Sequence, residues 1–108
     1  MTPFSCQVTR VGGTAVVTVV GEVDLSTHGE LVEAGAGAMA DGVQVVLDCA
    51  EISFLDSRGL TALLELQRRA DDAGATFALA AVPPSVARVL ELSGTEALFA
   101  VVERPGVI

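Results

Sequence analysis

The chain has 108 residues, 51% of them hydrophobic, and a formal net charge of −8 with six arginines and no lysine. This length and hydrophobicity predict one domain with a core of its own and argue against intrinsic disorder. The acidic excess repels phosphate backbones, so nucleic acid is a poor partner, and it favours a protein partner with a basic surface.

The first third of the chain predicts a β-hairpin followed by a helix. A loosely alternating strand over 4–10 and an apolar, β-branched strand over 15–20 are joined by a Gly-Gly turn. A helix is predicted to open near Thr27, because Thr27 and Glu30 have the spacing of a capping box. Three glycines inside this helix lower its helix propensity.

The next segment predicts a buried strand and an amphipathic helix. A β-branched run over 43–49 is typical of a strand covered on both faces, ending near Asp48. A loop through Phe54 and Leu55 then leads to a helix that begins at Asp56 or Ser57 and ends before Gly74. Its predicted inward face consists of Leu60, Leu63, Leu64, Gln67 and Ala70.

The last third of the chain predicts a strand over 76–81, a short helix from Pro83 to Gly94, and a strand over 98–102. The element order is therefore β-β-α-β-α-β-α-β. Strands that alternate with amphipathic helices predict an α/β fold, with a single mixed sheet of about five strands and an antiparallel hairpin at one edge. We expect residues 1–108 to form a single domain.

Targeting and membrane signals are missing from the sequence. The first ten residues lack the basic region and apolar stretch of a secretory signal, and the apolar run at 15–20 is too short to span a membrane. Cys6 and Cys49 both lie in apolar runs, which favours free buried thiols in a reducing compartment over a disulfide. We therefore expect a cytoplasmic protein that makes no membrane contact.

Ser57 has two interpretations. Asp56 or Ser57 is expected to cap the helix by accepting a backbone N–H group, which is worth about 1 kcal/mol. The same place in the fold suits a phosphate on Ser57, because a helix start offers unpaired N–H groups and a partial positive charge. Arg58 lies next to it and would screen the added charge. Both interpretations stay open at this point.

Residues that could support catalysis are few. The one histidine, His28, is expected at an exposed helix start, and the sequence has no Cys/His cluster at metal spacing and no glycine-rich phosphate loop. A triad of Ser57, His28 and an aspartate can be drawn, but the segment DSRG lacks the G-x-S-x-G elbow. We therefore expect no enzyme activity, no metal and no cofactor.

Three segments carry a resemblance to a known family: VVGEVDLSTHGEL, VVLDCAEISFLDSRGL and PPSVARVLELSG. Together they resemble the STAS domains, specifically the bacterial anti-sigma factor antagonists, over about residues 8–102. The tetrapeptide D-S-x-G is weak alone, whereas its distance from G-E-V-D and from the P-x-x-V-x-R segment makes the combined match specific. The resemblance implies the STAS fold.

This resemblance also implies a phosphoswitch. An unphosphorylated antagonist binds an anti-sigma factor that is also a serine kinase, and thereby releases a sigma factor. The kinase then phosphorylates the serine of D-S-x-G, which is Ser57 here, and a PPM-type phosphatase removes the phosphate. Asp24 would lie in the partner-facing loop beside Ser57, and Gly59 would let the partner's backbone approach. The implied partner-binding residues are Asp24, Asp56, Arg58 and Gly59.

Two features depart from the family pattern. Arg58 stands where the family usually has a small or hydroxylic residue, so it would pair with the phosphate or select a particular kinase. The segment ERPGVI cannot form the C-terminal helix that members commonly carry. One face of the sheet would then be thinly covered, which leaves a homodimer open.

The same fold also serves other roles in the family. A STAS domain can be the cytosolic subunit that docks an ABC-type lipid-transport ATPase, or part of a stress-sensing assembly. Neither role needs phosphorylation of Ser57, and in both the segment around Ser57 would simply dock a partner. This alternative stays open.

Overall fold

The secondary structure follows the predicted order of elements. The structure is a computed structural model, and it describes residues 3–39 and 43–105. Its elements are β1 (Ser5–Val11), β2 (Thr14–Val23), α1 (His28–Met39), β3 (Gln44–Leu55), α2 (Ser57–Ala73), β4 (Thr76–Ala80), α3 (Pro84–Ser93) and β5 (Ala100–Val102). A single 3₁₀ turn, Glu96–Leu98, connects α3 to β5.

The five strands form one mixed sheet in the order β1-β2-β3-β4-β5. β1 is antiparallel to β2, and the other neighbouring pairs are parallel. The hairpin turns at Gly12, whose φ of +60° is a left-handed conformation that glycine adopts without strain. Each parallel strand lies beside the previous one, so right-handed crossovers place all three helices on the same face of the sheet.

The hydrophobic core lies between the helices and that face. Val17, Leu47 and Leu79 point into it from the sheet, and Leu31 and Leu66 point into it from the helices. Helix α1 packs closely on α2 at Gly35, where an added Cβ would lie 2.6 Å from Cδ2 of Leu66. A glycine that lowers helix propensity thus permits the close contact between α1 and α2.

The opposite face of the sheet is covered at its centre. Val16, Val46 and Ala78 are neighbours in register there, and all three are buried. Arg104, two residues after β5, returns over this face to Asp48, with Nε 2.8 Å from Oδ2 and Nη2 3.2 Å from Oδ1. The expectation of a thinly covered face is therefore wrong for its centre. No helix follows β5 up to Pro105, and the rest of the predicted helix-free tail, 106–108, lies outside the described residues.

Strand β3 is longer than predicted. It continues past Asp48 to Leu55, because β2 and β3 stay paired through two register shifts and the last pair joins Val23 to Leu55. The segment predicted as a loop is therefore the end of a strand, and only Asp56 separates it from α2. The register shifts break the two-residue alternation that would have revealed a strand, since the buried residues Ile52 and Leu55 are three positions apart.

The inward face of α2 differs from the prediction by a small rotation. Its buried residues are Gly59, Ala62, Leu63, Leu66 and Ala70. Leu60, Leu64 and Gln67 are half-buried at the border of that face. The prediction therefore placed Leu63 and Ala70 correctly and missed Gly59, Ala62 and Leu66.

Candidate docking and phosphorylation site

The carboxyl ends of β2 and β3 bring the predicted site residues together. Val23 and Leu55 are partners in the parallel register, so Asp24 and Asp56 follow directly at neighbouring strand ends. The backbone N–H of Asp56 donates to the carbonyl oxygen of Val23 at 3.2 Å, which ties the two ends together. Ser57, the first residue of α2, therefore lies at the same edge of the sheet as Asp24.

Asp56 is the residue that caps α2. Its Oδ1 accepts hydrogen bonds from the backbone N–H groups of Arg58 at 2.9 Å and Gly59 at 3.0 Å. The Ser57 side chain is exposed, and its hydroxyl has no hydrogen-bond partner among the described residues. The hydroxyl is therefore not needed for the cap and is accessible to another molecule.

The cap also determines which groups would surround a phosphate on Ser57. Besides the two N–H groups bound by the Asp56 carboxylate, the N–H of Leu60 donates to the Asp56 carbonyl at 2.9 Å. The expectation that unpaired N–H groups receive the phosphate is therefore wrong for these three. A phosphate would instead lie next to the Asp56 carboxylate, with Arg58 as the adjacent cation. Arg58 is exposed and forms no ion pair within the described part of the chain.

Gly59 holds the start of α2 against the two strand ends. It is buried, and a Cβ at this position would lie 2.6 Å from both the carbonyl oxygen of Val23 and Cδ1 of Leu55. Real side chains do not tolerate such distances, so the need for glycine here arises inside the domain. The partner contact implied for Gly59 stays a prediction.

Asp24 organises the loop between β2 and α1. Its Oδ1 accepts from the N–H of Ser26 at 2.9 Å and from the hydroxyl of Ser26 at 2.8 Å. The Thr27 hydroxyl accepts from the N–H of Asp24 and donates to the Glu22 carbonyl, so helix α1 begins after Thr27 as predicted but without the capping box. These contacts give Asp24 a structural role, and the partner contact implied for it stays a prediction.

The protonation of Asp24 follows from the same contacts. The hydrogen bond from the Ser26 hydroxyl, with smaller contributions from the Ser26 and Thr27 bonds, lowers the pKa of Asp24 below its ordinary value of 3.8. The stabilisation from this carboxylate is therefore present above the pKa of the unfolded chain. It is lost as the pH falls through the lowered value in the folded protein.

Two exposed apolar side chains lie beside these polar groups. Leu25 follows Asp24 and is 66% exposed, and Phe54 lies near the end of β3 and is 49% exposed. Neither was predicted from the sequence, although an apolar residue inside the polar loop segment VDLST is the signal that could have identified Leu25. We call the surface formed by Asp24, Leu25, Phe54, Ser57 and Arg58 the docking face.

The triad drawn from the sequence is not assembled among the described residues. His28 is the first residue of α1, and within the described residues no hydrogen bond joins its side chain to Ser57 or to a carboxylate. Burial raises the pKa of the Cys6 thiol to about 11 and that of the Cys49 thiol to about 12, so neither is a thiolate at neutral pH. Both cysteines are free.

Over 3–39 and 43–105, His, Cys, Asp and Glu side chains form no group of three that could hold a metal ion. None of the helices described is both long and apolar enough to cross a membrane.

Comparison with known proteins shows which chains this one resembles. The family model described as "Mlab, STAS domain" matches residues 6–103. The crystal structure of an anti-sigma factor antagonist from Mycobacterium paratuberculosis is 28% identical, with a TM-score of 0.81 over 92% of this chain and 85% of that one. SpoIIAA in its unphosphorylated form is 21% identical, with a TM-score of 0.75 over 94% and 90% of the two chains. The phosphorylated Bacillus SpoIIAA is 20% identical, with a TM-score of 0.70 over 94% and 93%.

The family follows from these matches. The family model covers most of the chain, and the five-stranded mixed sheet with three helices on one face agrees with the solved structures. The chain belongs to the STAS domain family.

Proposed function

We propose that this protein is an anti-sigma factor antagonist that acts by binding rather than by catalysis. Its unphosphorylated form binds an anti-sigma factor serine kinase in the cytoplasm and releases a sigma factor, and phosphorylation of Ser57 ends the binding. The observation that carries the proposal is the exposed Ser57 hydroxyl, which the Asp56 cap leaves free, on a surface with two exposed apolar side chains.

Two relatives support this role. The Mycobacterium paratuberculosis protein, at 28% identity, is an anti-sigma factor antagonist. SpoIIAA has been solved in unphosphorylated and phosphorylated forms, so a STAS domain of this fold accepts a phosphate.

The local charges explain how a phosphate would weaken binding. Phosphorylation adds about −1.5 to −2 charges. The Asp56 carboxylate already accepts from the N–H groups of Arg58 and Gly59, so the dianion would remain at the surface rather than bind these groups at the helix start. Hundredfold weaker binding requires about 2.7 kcal/mol, a cost that like charges at an interface can supply. No large conformational change is needed.

Arg58 and Asp24 have separate parts in this proposal. Arg58 is exposed and next to Ser57, so it would contact the kinase before phosphorylation and the phosphate afterwards. Asp24 shapes the loop that presents Leu25, so it contributes to binding through the geometry of the docking face. A PPM-type phosphatase would restore the unphosphorylated form.

The test is a pull-down from the native cytosol with three baits: the wild type, Ser57→Asp and Ser85→Asp. Ser85 is a matched control, because it is also an exposed serine in the first turn of a helix, α3, but lies outside the docking face. We expect a sigma-regulating kinase to bind the wild type and Ser85→Asp and to be lost from Ser57→Asp. A kinase retained equally by all three baits would contradict the proposal.

A second candidate is the docking of an ABC-type ATPase without a phosphoswitch. The exposed Leu25 and Phe54 favour it equally, since an apolar docking surface does not require that Ser57 be modified. The same three baits separate the candidates. An ABC-type ATPase bound equally by all of them would favour this second role.

A further inference from the structure

Strand β1 is an edge of the sheet, and its outer side pairs with no strand of the described chain. Its seven residues pair with β2 in an unbroken register, from Ser5 opposite Val20 to Val11 opposite Thr14. Opposed residues of an antiparallel pair alternate between bonded and non-bonded pairs, so alternate residues of β1 direct their backbone N–H and C=O groups outward. β1 has neither the proline nor the bulge that commonly protects an edge, so it can accept one more strand.

An open groove runs between β1 and helix α1. Its volume is about 480 Å³, within the range of pockets that bind ligands, and its lining includes Cys6, Val8, Arg10, Glu30, Glu33 and Ala34. Val8 turns toward the helices, because its register partner Val17 is a core residue. A strand added beyond β1 would therefore direct every second side chain to the side of this groove.

Two carboxylates of α1 give the groove its charge. Glu30 and Glu33 are exposed and one helical turn apart, so their Cβ atoms are about 5–6 Å apart. Glu30 lies near the strand, since its carboxylate adds to the effect of burial in raising the pKa of Cys6. Arg10 is the cation in the lining, so two negative charges face one positive charge, in a chain of net charge −8. The groove therefore attracts a basic partner.

The same carboxylates disfavour other occupants of the edge. A second copy of this chain, paired through β1, would bring its own Glu30 and Glu33 toward the first pair, and like charges across strands destabilise the pairing. Nucleic acid and anionic lipid are repelled by the acidic surface. The occupant that satisfies both the backbone edge and the carboxylates is an extended protein segment with positive charge.

We propose that β1 binds an extended basic segment of a partner protein, which adds a sixth strand to the sheet and directs lysine or arginine side chains at alternate positions toward Glu30 and Glu33. Alternate side chains of a strand are about 7 Å apart, close to the spacing of the two glutamates. The remaining side chains of the added strand would lie beside Gln7 and Thr9, which are exposed and uncharged, so small polar residues fit there. Backbone hydrogen bonds would supply affinity, and the carboxylates would select the partner.

The test uses two capped ten-residue peptides, in which threonine alternates with lysine or with glutamate, and measures binding by fluorescence anisotropy at physiological salt. We expect the wild type to bind the lysine peptide and not the glutamate peptide. Glu30→Gln/Glu33→Gln should weaken binding of the lysine peptide about fivefold, as expected for two exposed ion pairs.

The matched control is Glu96→Gln/Glu103→Gln, which makes the same change in net charge. Glu96 and Glu103 are exposed and flank β5, the strand at the opposite edge of the sheet. Because salt screens distant charges, this control should weaken binding less than about twofold. Equal weakening by the two double variants, or a wild type that binds neither peptide or both alike, would overturn the proposal.

Amide hydrogen exchange locates the bound peptide. The lysine peptide should protect alternate β1 amides of the wild type and leave β5 amides unchanged, whereas binding without protection of β1 would contradict the added strand. Protection of β1 that rises with the concentration of the protein alone would mean that a second copy occupies the edge, and would also overturn the proposal.

This inference does not depend on the proposed phosphoswitch. The groove residues lie outside the docking face, so Ser57→Asp should bind the lysine peptide as the wild type does. Loss of peptide binding in Ser57→Asp would mean that the peptide binds the docking face instead, and would overturn the inference. The pull-down with Ser57→Asp and the peptide measurement can therefore fail separately.

Discussion

Helices α2 and α3 begin in similar ways and yet differ in what their first turns can do. Each carries an exposed serine in its first turn, Ser57 in α2 and Ser85 in α3. Asp56 caps α2 with two side-chain hydrogen bonds, whereas Pro83 caps α3 with none. An exposed serine at a helix start is therefore not a site by itself. The neighbouring carboxylates and exposed apolar side chains distinguish Ser57.

The third helical residue gives the largest expected difference between the two helix starts. It is Gly59 in α2 and Val86 in α3, and both are buried. Gly59→Ala would force a Cβ to 2.6 Å from the Val23 carbonyl and should cost about 3 kcal/mol in the free energy of unfolding. Val86→Ala removes two methyl groups and should cost about 2 kcal/mol. Urea unfolding measures both, and an unchanged Gly59→Ala would show that the strand ends can move apart.

The caps give the second difference. Asp56→Ala removes the acceptor for two backbone N–H groups and should lower the free energy of unfolding by about 1 kcal/mol. Asp56→Asn is the control, because asparagine caps about as well and should retain most of the stability. Equal losses in the two variants, measured by urea unfolding, would mean that the charge of Asp56 rather than its capping oxygen stabilises α2.

The smallest expected effect concerns negative charge at each serine. Ser85→Asp adds a carboxylate to a helix start whose cap has no side-chain hydrogen bond, and should stabilise the fold by about 0.5 kcal/mol. Ser57→Asp adds one where Asp56 already binds the N–H groups, so repulsion should cost a few tenths of a kcal/mol. Thermal unfolding at low salt measures both changes. Stabilisation of similar size in both variants would contradict the difference between the two helix starts.

Much of the fold could be predicted from the sequence, because glycines mark the ends of two helices and β-branched runs mark the central strands. Gly74 and Gly94 end α2 and α3 with φ values of +69° and +73°, and the β-branched runs mark the central strands. The end of β3 could not be predicted, since its pairing there depends on register shifts with β2 that leave no local pattern.

The candidate site was predictable in part. The motif identified Ser57 and its neighbours, and the sequence narrowed the cap to Asp56 or Ser57 but could not choose between two adjacent polar residues. The choice depends on the direction of the Asp56 side chain, whose Oδ1 accepts from the N–H groups of Arg58 and Gly59. Phe54 was assigned to a loop. Its place near the end of β3, and its exposure there, could be known only from the pairing of β3 with β2.

The most direct test of the account is to locate the phosphate. The wild type, Ser57→Ala and Ser85→Ala would each be incubated with ATP and the native cytosol, and the modified residue identified by mass spectrometry. We expect one phosphate, on Ser57, in the wild type and in Ser85→Ala, and none in Ser57→Ala. Labelling of Ser57→Ala to the wild-type level, or loss of labelling in Ser85→Ala alone, would contradict the claim that Ser57 is the switch.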